Sequence, residues 1–237
     1  MKHKKIVFYC SLLFFCALLT FLIVKNVENN NENVSTNSAA MAKHTIVIDA
    51  GHGGEDGGAD ANGILEKDIN LDISLKLRDL LKLSGFNVVM VRDTDKSIYD
   101  ASAKTVREKK VSDLQNRLKI FNSSEDNIVV SIHQNKFPQT QYFGAQIFYS
   151  PNNPQSKTLA QNIKNTIVTM TQPDNKRELK KADKSIFLLW NAKSTSVIVE
   201  CGFISNQKEA SLLNQDSYRK NIAFSIYCGI VNYVNSQ

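Results

Sequence analysis

The chain has 237 residues, is 42% hydrophobic and carries 29 basic against 23 acidic side chains, a formal charge of +6. That length holds one domain of ordinary size plus an appendage. Only +4 of the charge lies beyond residue 40. Such a mild excess suits an anionic cell envelope, and with no base-reading motif in the chain no nucleic-acid partner is expected.

In chain order, KHKK at residues 2–5 precedes nineteen uncharged residues, 6–24, closed by Lys25. At helical rise they cover about 28 Å, enough for a hydrocarbon core of about 30 Å. A signal anchor or transmembrane helix is therefore expected over residues 1–25. Ala39, Ala40 and Ala42, the small residues that a cleaved secretory signal would need, come some fifteen residues later. Lys2, Lys4 and Lys5 against a lone Lys25 place the N-terminus in the cytoplasm and the rest of the chain outside it. Residues 26–40, NVENNNENVSTNSAA, lack large apolar side chains and read as a flexible tether. The catalytic domain is expected over 41–237. Of the four cysteines, Cys10 and Cys16 sit in the apolar segment, and Cys201 and Cys228 are expected as buried thiols.

From Thr45 the chain alternates. A strand over 45–50 leads into a glycine-rich loop. A helix then opens near Glu66, carries Ile69, Ile73, Leu77 and Leu81 at helical spacing, and ends at Gly85. A strand comes next over 86–92, then a polar loop over 93–111, and then a helix capped by Ser112 and carrying Leu114, Leu118 and Phe121. Strands over 127–134 and 144–150 precede a helix from 154 to about 171. After a strand at 196–201 the chain ends in two helices. This order predicts an α/β fold: a single three-layer domain, with a mixed, mostly parallel sheet and helices on both faces.

Three of these strands share a feature. TIVIDAGHGG runs apolar and then gives Asp49 and His52; NIVVSIHQN ends on His133; TSVIVECGF delivers Glu200. Ligands of open α/β sheets bind beyond the carboxyl ends of the strands, so these groups are aimed at one crevice. Catalytic zinc sites take three ligands from His, Asp and Glu and keep one position open. His52 and His133 supply imidazoles, and Glu66, directly after the glycine-rich loop, is the best third ligand. Glu66 equally fits a first-turn carboxylate facing the helix dipole, His133 a satisfied buried histidine and His52 a turn residue. Glu200 closes a buried apolar strand and must be paired, associated with a metal or raised in pKa. A carboxylate beside a zinc site is what a hydrolase needs as general base. The separations of 14, 67 and 67 residues exclude the HExxH arrangement on one helix.

IDAGHGG, LEKDINL, SIHQN and VECGFISN, in this order, resemble the zinc-dependent N-acetylmuramoyl-L-alanine amidases of the bacterial cell wall over about residues 44–235. The resemblance implies one zinc ion per domain, held by His52, Glu66 and His133, with Glu200 catalytic. It also implies peptidoglycan as substrate and cleavage between the lactyl group of muramic acid and L-alanine. One amidase domain behind a membrane segment, without wall-binding repeats, is similar to the germination-specific members of spore formers. That implies a membrane-anchored or secreted enzyme on the forespore or cortex side, preparing muramic acid for δ-lactam formation. HQNK after the second histidine and Thr195 before the last strand depart from the family pattern without touching a ligand. The same metal and base would serve a peptidase acting within the stem peptide, and an inactive envelope-binding module would share the fold. With no targeting repeat of its own, the domain is expected to need an accessory envelope protein docking near the cleft on the basic and apolar segment 104–121.

Overall fold

The computed structural model describes residues 41–237 together with 15, 18–22 and 25. The expected tether 26–40 lies outside the described residues, as does the expected anchor apart from those seven positions. Among the described residues no helix is long and apolar enough to cross a membrane. Residues 42–237 form one compact unit.

The alternation of apolar strands and amphipathic helices produces a six-stranded sheet. Its strands are β1 (Thr45–Ala50), β4 (Asn87–Met90), β5 (Ile128–Asn135), β6 (Gln146–Tyr149), β7 (Lys180–Lys181) and β8 (Thr195–Phe203), in the order β4-β1-β5-β8-β6-β7. The first four neighbours are parallel; β6 runs antiparallel to β8, and β7 parallel to β6. The central strands are buried on both faces, which is why they read as nearly continuous apolar runs. A two-residue hairpin, β2 (Asp60–Ala61) and β3 (Ile64–Leu65), sits within the glycine-rich loop.

Helix α1 (Glu66–Leu83) turns Ile69, Ile73, Leu77 and Leu81 onto one face of the sheet. Bonds from Gly85 to Lys82 and from Phe86 to Leu81 stop it in a Schellman motif. On the same face lie α3 (Gln155–Met170) and α6 (Asp216–Asn235). The opposite face is covered by α2 (Val106–Phe121) and the short α4 (Phe187–Asn191), over a core of Val47, Phe121, Val129 and Leu188. Helix α5 (Gln207–Leu213) comes directly after β8.

The helix expected from Ser112 starts six residues earlier. Thr105 is its cap: the Thr105 side chain accepts from Glu108 N, while the Glu108 carboxylate accepts from Thr105 N. This capping box satisfies the helix start without any apolar periodicity. Ser112 instead lies inside the helix, its hydroxyl accepting from Asp100 N. Both described cysteines are free thiols, Cys201 buried and Cys228 only half-buried.

Helices α3 and α6 cross closely where Gly229 meets Ile163; a Cβ there would sit 2.6 Å from Ile163 Cα. Helix backbones cannot absorb such an overlap without separating. Gly229→Ala is expected to lower stability by about 1–3 kcal/mol, measured as a fall in denaturation midpoint at unchanged slope.

Candidate metal centre

The site begins where β1 ends. Asp49, buried at its C-terminal end, accepts from Arg117 Nη1 at 2.5 Å and from the Ser131 hydroxyl at 2.6 Å. Burial disfavours its charge most, but the Arg117 guanidinium, the Ser131 hydroxyl and His133 together outweigh this and hold the carboxyl below the usual range. Arg117 also donates to the carbonyls of Ala50 and His52, and Arg92 to those of Ala50 and Gly51. Three consecutive carbonyls leaving the sheet are thus capped by two buried guanidiniums. This anchorage holds His52 at φ +62°, a left-handed conformation costly for a side chain of its size.

Beyond His52 the loop folds back, through reciprocal backbone bonds between Gly53 and Asp56, to bring Glu66 against it. Glu66 opens α1 and is almost fully buried. Its Oε2 accepts from Ala59 N at 2.8 Å and lies 3.3 Å from His52 Nε2. Its Oε1 lies 3.0 Å from His133 Nδ1 and accepts from Gln134 N and Asn70 Nδ2. Burial pushes this carboxyl up, but the two imidazoles and their hydrogen bonds prevail and hold it far below the ordinary range. The imidazoles meet edge to face, with centroids 5.0 Å apart. His52 Nδ1 faces the Asp56 carboxylate at 3.0 Å, which leaves Nε2 toward Glu66. Burial works against a charged His52 ring, yet hydrogen bonds to Asp56 and Glu66 raise its pKa to about 9.

One donor atom each from His52, Glu66 and His133 lies within 4.8 Å of the others. Two imidazoles and a carboxylate, one imidazole backed by a further carboxylate, form a donor set suited to a divalent ion with an open position. Glu200 stands directly opposite His133 in the β5–β8 register. It is partly exposed, but its Oε2 is sealed from solvent and has no hydrogen-bond partner among the described residues. Desolvation raises its pKa to about 7, against the pull of His133. A carboxyl poised near neutrality can both accept and return a proton.

The structure therefore brings together all four residues singled out in the sequence. It adds Asp56, Asn70 and Gln134, which orient them. Asn70 is four residues after Glu66, on the same face of α1, and Gln134 is next to His133 in the chain, so adjacency to the ligands was the available signal. Arg92 and Arg117 carried none.

The family described as N-acetylmuramoyl-L-alanine amidase matches residues 46–232. The chain is 34% identical to the germination-specific N-acetylmuramoyl-L-alanine amidase of Bacillus subtilis (strain 168), over 95% of this chain and 94% of that protein. It is 32% identical to the amidase LytC of the same organism, over 88% of this chain and 41% of that protein. Among solved structures, it resembles the CwlD amidase from Clostridioides difficile in complex with the GerS lipoprotein. The TM-score is 0.78 and the identity 43%, covering 82% of this chain and 100% of that one. AmiC2 of Nostoc punctiforme is similar at a TM-score of 0.70 and 28% identity, covering 81% and 98%.

A Cβ on Gly51 would come within 2.2 Å of His133 Nε2, so Gly51→Ala should turn that imidazole aside. Divalent-ion affinity is expected to drop by roughly tenfold to a hundredfold, read by metal titration with the circular dichroism spectrum unchanged. Ligation requires neutral imidazole, and His52 keeps its proton up to about pH 9. Affinity should therefore rise toward that pH and fall by about tenfold for each unit below it. Metal titrations at two pH values under 9 check the slope.

Proposed function

This chain belongs to the N-acetylmuramoyl-L-alanine amidase family and is a hydrolase of the cell wall; on that premise we propose that it works with one zinc ion held by His52, Glu66 and His133, and with Glu200 as the proton-transferring group. The observation that carries this reading is the convergence of the three donor atoms beside a carboxyl whose buried oxygen has no partner. Zinc, when bound, would supply a Lewis acid for the amide carbonyl and lower the pKa of water.

The protein's own residues do the rest. Glu200 accepts a proton from the attacking water as the new C–O bond forms at the lactyl carbonyl. It returns that proton to the alanine nitrogen as the C–N bond breaks, leaving a lactyl carboxylate and a free L-alanine amino terminus. Asp56 and Asn70 keep the His52 ring and the Glu66 carboxylate in place through this cycle.

The finer reading is spore cortex as substrate, supported by the germination-specific relative. An N-terminal anchor over 1–25 and a tether over 26–40 would hold the catalytic domain, 41–237, on the outer side of the membrane. The similar CwlD was solved with a lipoprotein, which supports an accessory envelope protein here too. Segment 104–121 is its proposed landing place; Val106 and Val111 are exposed there, and Lys110 lines the cavity that reaches His52.

Digestion of cortex peptidoglycan and identification of the new termini test the assignment. Free L-alanine amino termini on intact glycan are expected, and new termini inside the stem peptide would mean a peptidase instead. Glu200→Gln should keep its zinc and lose about 10²–10⁴-fold in turnover, compared at equal metal content. A near-normal rate would remove Glu200 from the mechanism.

A further inference from the structure

Paired residues on neighbouring strands point to the same face of a sheet. His133, Glu200 and Gln146 form one such row across β5, β8 and β6. The next row on that face runs Ser131, Ile198, Phe148 and Lys180, out to β7. The sheet itself therefore leads from Glu200 to a lysine at its edge.

Two adjoining cavities extend in this direction. One, of about 660 Å³, touches His133, Glu200, Phe148 and Lys180. The second, of about 400 Å³, shares Phe148 and Lys180 and adds Arg177. The Arg177 guanidinium lies over the Phe203 ring at 4.4 Å and the Tyr142 ring at 5.5 Å, fixed by its Nε donating to Phe143 O. Its Nη1 reaches Gln146 Oε1 at 3.5 Å. Lys180 extends over Phe148. Neither cation has a carboxylate oxygen within 4 Å among the described residues. Glu209 acts on Arg177 only from a distance, and Asp183, across the larger cavity, is occupied by Ser185. Two cations without a paired carboxylate, one of them stacked and aimed, form an anion site.

We propose that Arg177 and Lys180 bind the free α-carboxylate of the second residue of the substrate's peptide, so that the enzyme selects acidic stem peptides over amidated ones. The inference rests on the amidase reading of the adjacent site. Lys180 stands two strands and one row from Glu200, roughly 12 Å between backbones, and its side chain spans part of that gap by extending over Phe148 in the cavity that touches Glu200. From an alanine nitrogen to a carboxylate on the following residue is roughly 6–7 Å of extended chain. Arginine matches a carboxylate with two parallel donors, and the Phe203 and Tyr142 rings back the half-buried Arg177.

The test uses the zinc-loaded protein and two muramyl dipeptides whose γ-carboxyl is capped as a methylamide. In one the α-carboxylate is free and in the other it is amidated. The free acid is expected to have the higher kcat/KM by roughly tenfold to a hundredfold, the worth of a charge-assisted hydrogen bond. Lys180→Met and Arg177→Met should each shrink that ratio, and Lys180→Arg should restore most of it. Lys157→Met removes the same charge from an exposed site on α3 and should leave the ratio as it was. A wild-type ratio near one, or a ratio equally changed by Lys157→Met, overturns the subsite while leaving the amidase reading intact. Calorimetric binding of the two capped L-alanyl dipeptides alone gives the converse. If neither muramyl substrate is cleaved, yet the acidic dipeptide binds more tightly in a manner lost with Lys180→Met, the subsite stands and the amidase reading falls.

Discussion

A buried ion pair sets the position of everything that acts in this molecule. Asp49 and Arg117 face each other in the interior, and Arg117 directs its remaining donors to Asp113 and to the backbone that leaves β1. Such a pair is a poor source of stability in itself, because both ions lose their water. Breaking one half costs far more, about 3–5 kcal/mol, since a charge is left uncompensated. Here the arrangement fixes geometry. The carbonyls of residues 50–52 point into the protein, and the two guanidiniums, joined at Gly51 by the Asn70 side-chain amide, supply the donors that make that path tolerable. Arg92 shares the task, and the negative charge of Asp49 offsets part of the repulsion between the two guanidiniums.

Glu66 depends on that path and in turn governs the imidazoles. A carboxylate so deeply buried is tolerable only with several partners, and it has five: two backbone amides, one side-chain amide and two rings. Its place on the first turn of α1 ties the centre to the hydrophobic layer below, because α1 can shift only by dragging Ile73 and Leu77 through the core. The pairing of Asp72 with Arg219 links the same helix to α6. Helix packing and ligand spacing are therefore one mechanical problem.

Much of this was legible in the sequence, and the gaps have physical causes. Strands buried on both faces declare themselves as apolar runs, and α1 shows its stripe of Ile69, Ile73, Leu77 and Leu81. His52, Glu66, His133 and Glu200 could be singled out because each ends a strand or opens a helix, where polar residues need a reason. The start of α2 was missed because its first turn is held by Thr105 and Glu108 and not by an apolar face; the T-x-x-E spacing was there to be read. The two-residue strands and α4 are too short to carry a period. Arg92 ends an apolar run and Arg117 lies beside Leu118 on a helix, but their burial comes from contacts with residues 41 to 68 positions away. Local pattern holds no trace of such contacts.

The reversal of β6 within an otherwise parallel run splits the crevice by ancestry of its walls. Donor atoms for the metal come from the parallel part and its first helix, where each position is locked by the core. Beyond Glu200 the surface comes from the antiparallel edge and the segments on either side of it, residues 136–145 and 172–186, which supply none of the three donor residues. Exposed positions there, such as Thr140, Gln141 and Lys176, can change without disturbing the ligands. A lineage built on this scaffold can thus change which wall polymer it accepts while its hydrolytic centre stays fixed.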